Sequence, residues 1–327
     1  MPLAGPSAGL TKTSARLGAS DGVPLVLLVA LTALPAVAHG YALGLTMRGM
    51  IFAIAALGLD LLVGYGALVS FGHAASIGFG AYAVGILASH GVHEMLVVLP
   101  VAILAATAFA AMTGFVCLRT KGVYFIMITL AFGQMAFFTA SSLAPYGGDD
   151  GLTIHARDTL LGLRLLAGDT RFYYVVLACL LSAYWLCRTL VFSRFGRVFR
   201  GAKENPERLA TIGFDVFRFQ LAGYAFAGAL GGLAGFLLAN ATDFVSPAYM
   251  SWQRSGELII MVLLGGMGRL YGAVIGAIVF ILIEEWLSGV TEHWKIVFGP
   301  FLVLVVLFAR GGLAGVCAQV AGVFRRG

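Results

Sequence analysis

Ten apolar runs, each bounded by a short polar joint, constrain this chain more than any other feature. They cover residues 23–39, 44–67, 69–89, 95–118, 122–144, 172–191, 216–240, 257–268, 270–289 and 296–312. A helix needs about 20 apolar residues to cross a hydrocarbon core, where no backbone amide can be left unpaired. The run 257–268 is too short for a plain crossing, and its glycines point to a broken or tilted helix. The expected fold class is all-α: a polytopic membrane helix bundle of about eight to ten transmembrane helices, some broken or short. Charged residues make up 11% of the chain, against roughly 25% in a soluble domain.

The net charge of +6 does not indicate nucleic-acid binding, because the charges sit in joints with no contiguous soluble surface behind them. Cys117, Cys179, Cys187 and Cys317 lie in apolar segments without metal-ligand spacing and read as small buried hydrophobes. Residues 1–22 are expected to form a disordered cytoplasmic tail, residues 23–312 the transmembrane domain, and residues 313–327 a short C-terminal tail. Ala36-Val-Ala38 also has the form of a signal-peptide cleavage site, but the reading adopted retains the first span.

Placing the N-terminus inside the cell puts fifteen Lys or Arg on the inner side and six outside, with both termini cytoplasmic. The inner loop 192–215 is the densest joint, carrying Arg194, Arg197, Arg200, Lys203 and Arg208. Asn205 suits an N-cap, Pro206 the first helical position and Gly213 the C′ stop. A two-turn helix is therefore expected, with Glu207, Arg208 and Thr211 exposed and Leu209 and Ile212 packed against the bundle. Positive charge that merely fixes topology is the competing reading of this loop. The outer loop 145–171 holds the turn Gly147-Gly-Asp-Asp-Gly151, either a tight turn or a contact for a delivering protein.

Four polar residues inside spans are candidates for a translocation path: Asp60, Ser70, His73 and Gln134. An unpaired acid at a span centre costs about 2.5–3.5 kcal/mol, so Asp60 is expected to face the interior and find a partner. His73 and Gln134 could equally be satisfied interior residues tying helices together. Glu284 and Glu285, nearer the outer end of their span, read as structural. The glycines around Ser70 and those of Gly265-Gly-Met-Gly268 form two interruptions, one in each half, a pattern that can flank a central pathway. Gly231-x-x-x-Gly235 and Gly272-x-x-x-Gly276 have the spacing of close helix contacts.

The segment Arg197-Val-Phe-Arg-Gly-Ala-Lys-Glu-Asn-Pro-Glu-Arg-Leu-Ala-Thr-Ile-Gly213 resembles the coupling loop of permeases in branched-chain amino acid ABC importers, the LivM/LivH type. Gly201 stands where many such permeases carry Ala. Residues 59–74, 120–125, 147–151 and 263–268 resemble the LivM half of the family. The resemblance implies that Arg197, Glu204, Asn205, Glu207 and Arg208 couple to an ATPase. It further implies a second, LivH-like permease, two cytosolic ATPase subunits, an extracytoplasmic binding protein and residence in the bacterial inner membrane.

No Gly-x-x-x-x-Gly-Lys-Ser/Thr phosphate loop occurs in the sequence, so no cofactor is expected on this chain and ATP is expected on the partners. No nucleophile and base stand at a recognisable spacing, which makes an enzyme the weakest reading. The expected function is an inner-membrane permease for branched-chain or related amino acids. A urea or short-amide permease and an ion-coupled secondary transporter are the alternatives.

Overall fold

The computed structural model describes residues 19–37, 40–154, 157–159 and 168–290, with a few isolated positions from 293 to 315. Nine of the ten apolar runs lie almost wholly in these residues, and each is helical over most of its length. Most of the tenth run, nearly all of the C-terminal tail and residues 1–18 of the N-terminal tail fall outside them.

The helices are α1 (Ala19–Val37), α2 (Tyr41–Asp60), α3 (His73–Ser89), α4 (Met95–Cys117), α5 (Val123–Ser142), α6 (Asp169–Phe192), α7 (Arg194–Glu204), α8 (Pro206–Thr211), α9 (Val216–Thr242), α10 (Trp252–Gly265) and α11 (Leu270–Val290). Helix α1 begins inside the region expected to be tail, so residues 19–22 are helical. Six helices in the described residues are long and apolar enough to cross a membrane, and α3 is a shorter apolar one. The chain is thus a polytopic all-α bundle. Helix α10 starts before the apolar run expected to form it, because Ser251 caps it by accepting from the Arg254 amide, and Arg254 pairs with Glu257 at 2.6 Å within its first turns.

Helices α2 and α9 form the centre, with α2 enclosed by α6, α9, α10 and α11, and α9 enclosed by α3 and α4. Residues Gly49–Asp60 of α2 are all buried. Small residues allow this density. A Cβ on Gly235 would collide with the Ile77 carbonyl oxygen, and one on Gly276 with that of Met261. Both spacings picked out in the sequence are therefore backbone contacts, α9 on α3 and α11 on α10.

Helix α2 ends in a π-turn, Leu61–Tyr65, after which residues 67–72 run without helix before α3 begins at His73. Ala67 takes a positive φ of 55°, where a side chain is disfavoured. At the other end of the bundle a strand pair not foreseen in the sequence joins β1 (Leu152–Thr153) to β2 (Phe244–Val245), antiparallel, with Leu152 opposite Val245. The turn before β1 holds Gly147, Gly148 and Gly151 at positive φ, with Asp149 and Asp150 exposed.

Candidate functional site

The basic joint folds into two helices. Asn205 caps α8, its Oδ1 accepting from the Arg208 amide at 2.9 Å, and Pro206 opens the helix. At the far end the Gly213 amide donates to Ala210 at 3.0 Å and the Phe214 amide to Leu209 at 3.1 Å. That bond pair, with Gly213 at φ 94°, is a Schellman stop. Glu204, Asn205, Glu207, Arg208 and Thr211 are exposed.

One expectation fails here. Leu209 does pack inward over Gly201, where a Cβ would lie 3.2 Å from its Cδ1. Ile212 does not: it is 66% exposed, beside Phe214 at 41%. The helix closes at Thr211, so Ile212 sits in the cap and turns away from the face that Leu209 presents.

Helix α7 is a separate element that the cap pattern of the loop does not announce. Val198, Phe199 and Ala202 are buried along one side, while Arg194 and Arg197 are exposed on the other. Its signal was in the sequence as apolar residues at three- and four-residue spacing within a basic run. Ser193 caps it, and Arg200 reaches back to the Val191 carbonyl at 3.2 Å, satisfying the end of α6.

Two side chains of α7 fix it to the broken end of α2. Phe199, 1% exposed, fills a slot between Gly66 and Gly223 where a Cβ on either glycine would lie 2.6 Å from its ring. Lys203 donates from Nζ to the Gly64 carbonyl at 2.8 Å. Gly64 in turn lies against Gly268, and the Gly268 amide donates to Asp60 Oδ1 at 2.8 Å. The two glycine interruptions therefore meet, with Asp60 between them and Lys203 holding the near side. Asp60 is fully buried, and its Oδ2 has no hydrogen-bond partner among the described residues.

The remaining path candidates are placed differently. Ser70 is buried with its Oγ 3.1 Å from Tyr224 Oη, and His73 places Nε2 3.2 Å from the Ala55 carbonyl, to which it donates. Gln134 is half-buried on α5. Asp60, Ser70, His73 and Gln134 line neither of two large cavities found among the described residues. Glu285 accepts from the Tyr41 hydroxyl.

At the opposite end, Asn240 accepts from the Asp158 amide and donates from Nδ2 to Asp158 Oδ2, both at 3.0 Å. Burial pushes the Asp158 carboxyl up to about 6, and the Asn240 bond and nearby His93 pull the other way. Arg157 bonds Asp169 at 3.0 Å and lies over the Phe172 ring. Among the described residues no group of three or more His, Cys, Asp or Glu converges to hold a metal ion.

The family described as branched-chain amino acid transport system / permease component matches residues 41–308. The chain is 25% identical to the high-affinity branched-chain amino acid transport system permease protein LivM of Salmonella typhimurium, over 88% of this chain and 73% of that protein. Against the LivM protein of Escherichia coli K12 the identity is 26%, over 81% and 68%. The LivH protein of Salmonella typhimurium is 21% identical over 83% and 93%. No solved structure matches the chain. From the start of α2 to residue 308, the chain belongs to the permease-component family of branched-chain amino acid transport systems.

Proposed function

We propose that this permease is one half of the membrane channel of an ATP-driven importer, that α8 is where an ATPase docks, and that branched-chain amino acids are its cargo. The observation that carries the docking site is the construction of α8. It is capped at both ends, it projects from the basic end of the bundle, and it leaves Ile212 and Phe214 exposed among Glu204, Glu207 and Arg208. A short rigid helix with an apolar tip and a polar rim suits insertion into a groove.

On this reading the basic end faces the cytoplasm, with residues 192–215 as the coupling loop and 145–171 outside. A second, LivH-like permease completes the channel, two cytosolic ATPases supply ATP hydrolysis, and an extracytoplasmic binding protein delivers cargo. The names of the relatives support the cargo class and the pairing of permeases. Force applied to α8 passes through α7 to the π-turn of α2 by way of Phe199 and Lys203. Asp60 acts as a hydrogen-bond acceptor that joins the two interruptions. Replacing Glu204 and Arg208 together should leave membrane insertion intact while abolishing leucine uptake and retention of the ATPase on purification. Unchanged uptake in that double variant would sink the docking assignment.

A further inference from the structure

Hydrocarbon can cover a helix face only where that face is apolar or its polar groups are bonded within the protein. The outward faces of two other long spans meet that condition at mid-span. On α4 Leu104, Ala108 and Met112 are exposed, and Thr107 beside them donates to the Ile103 carbonyl at 2.6 Å. On α6 Leu181 and Trp185 are exposed, and Ser182 donates to the Cys179 carbonyl at 2.8 Å.

Helix α5 departs from this. Its inward face is set by Thr129, whose Oγ1 accepts from the Phe71 amide at 3.2 Å, and by Gly133, where a Cβ would come 3.2 Å from the Gly72 Cα. Gln134 lies on the other side, midway along the 20-residue span, between Met127 and Phe138, each 63% exposed. Its side-chain amide makes no hydrogen bond among the described residues. That amide carries two donors and an acceptor, and acyl chains offer it nothing.

A second observation falls on the same flank. Val123, Ile126, Leu130 and Gln134 follow one another at three- and four-residue spacing, so they form one line along α5. At its basic end a cavity of about 590 Å³ opens beside Val123 and Ile126. Its other walls include Ala67, Leu68 and Val69, the stretch without helix after the π-turn, and Lys121 and Lys203 stand at its edge. Non-helical backbone at membrane depth is tolerated only where protein covers it or water reaches it. The opposite flank of α5 makes no such demand, since Phe132, Met135 and Ala136 line an almost wholly apolar groove that suits an acyl chain. A cavity walled by irregular backbone and, about 12 Å of helix further on, an unpaired amide thus call for cover that lipid does not give.

We propose that the second permease of the transporter packs along this flank of α5, from Val123 to Gln134. A group on that subunit bonds the Gln134 amide, as polar side chains do between membrane helices. The same subunit closes the open side of the cavity, which becomes this chain's share of the channel's mouth at the basic end. The occupant is a membrane subunit and not a soluble partner, because Gln134 at mid-span is beyond the reach of either aqueous side. The assignment rests on the reading of the chain as one half of a paired channel.

The test uses the complete transporter in lipid, with the photoreactive residue benzoylphenylalanine in place of Met127 and, as a control on α4, in place of Leu104. Illumination should join position 127 to the second permease, identified by mass, and position 104 to lipid. Capture of lipid alone at position 127, or of a second copy of this chain, would overturn the seam. Gln134→Leu should speed loss of the second permease from the detergent-solubilised complex about three- to tenfold, the value of one interhelical hydrogen bond. An unchanged rate would remove Gln134 from the contact. Co-purification of a second permease with the unaltered chain tests the paired-channel reading by itself, so its failure is distinguishable from a seam placed on the wrong helix.

Discussion

The two ends of the bundle handle their charges in opposite ways. At the opposite end from the basic joint, Arg157, Asp158, Asp169, Asn240 and Asp243 are paired with one another, and β1 pairs with β2 beside them. At the basic end Arg194, Arg197, Glu204, Glu207 and Arg208 are exposed, and the element is held by the buried Val198, Phe199 and Ala202 and a few bonds to backbone carbonyls. Polar groups consumed in internal pairs make a lid that stays put. Polar groups left free on an element anchored at a few points make a handle.

The largest test of this contrast is Phe199→Ala. Emptying the slot between Gly66 and Gly223 should cost about 3–5 kcal/mol, as for other buried aromatics, read as a large drop in the unfolding temperature of the purified protein together with loss of uptake. A small effect would mean that the handle is anchored elsewhere.

The next probes the lid through pH. The Asp158 carboxyl, pushed up by burial, stands at about 6 in the folded protein against an ordinary value of 3.8. The folded state therefore holds its proton more tightly than the unfolded one, and stability is lost as pH rises from about 4 to about 6, then stays level. The loss is at most about 3 kcal/mol. Asp158→Asn keeps an acceptor for Asn240 and should be more stable than the parent at pH 7.5, with the gain vanishing toward pH 4. A gain independent of pH would assign the effect to packing.

Smaller effects belong to the handle's surface. Lys203→Met removes the bond to the Gly64 carbonyl, and because Lys203 is exposed the cost should be about 1 kcal/mol. Its mark should be weaker coupling, seen as ATP hydrolysed per leucine transported. Ile212→Ser should change stability by less than about 0.5 kcal/mol, as exposed positions do, yet reduce ATPase retention. Full retention would place the docking contact elsewhere on the loop.

Much of the handle was legible in the sequence, because caps are local. Asn205, Pro206 and Gly213 specify the start and stop of α8 through bonds spanning three to five residues, and each took its expected place. Ile212 was misplaced because the same local rules do not say which way a capping residue turns. The partner of Asp60 was invisible for another reason. Its acceptor bond runs to the amide of Gly268, 208 residues away, and a backbone donor leaves no trace in side-chain pattern. Phe199 and Lys203 read as parts of a basic island, since the glycines and the carbonyl that receive them come from α2 and α9.

The sequence by itself determined the class of the molecule, because a bilayer admits only helices whose apolar length matches its thickness, and residues enough for about ten were present. It also determined where the charged joint lies and how its short helix begins and ends. Only the tertiary structure decided that the two glycine interruptions touch and that α7 reaches the π-turn. Those facts depend on which backbones approach to van der Waals distance, and glycine permits such contacts without choosing the partner.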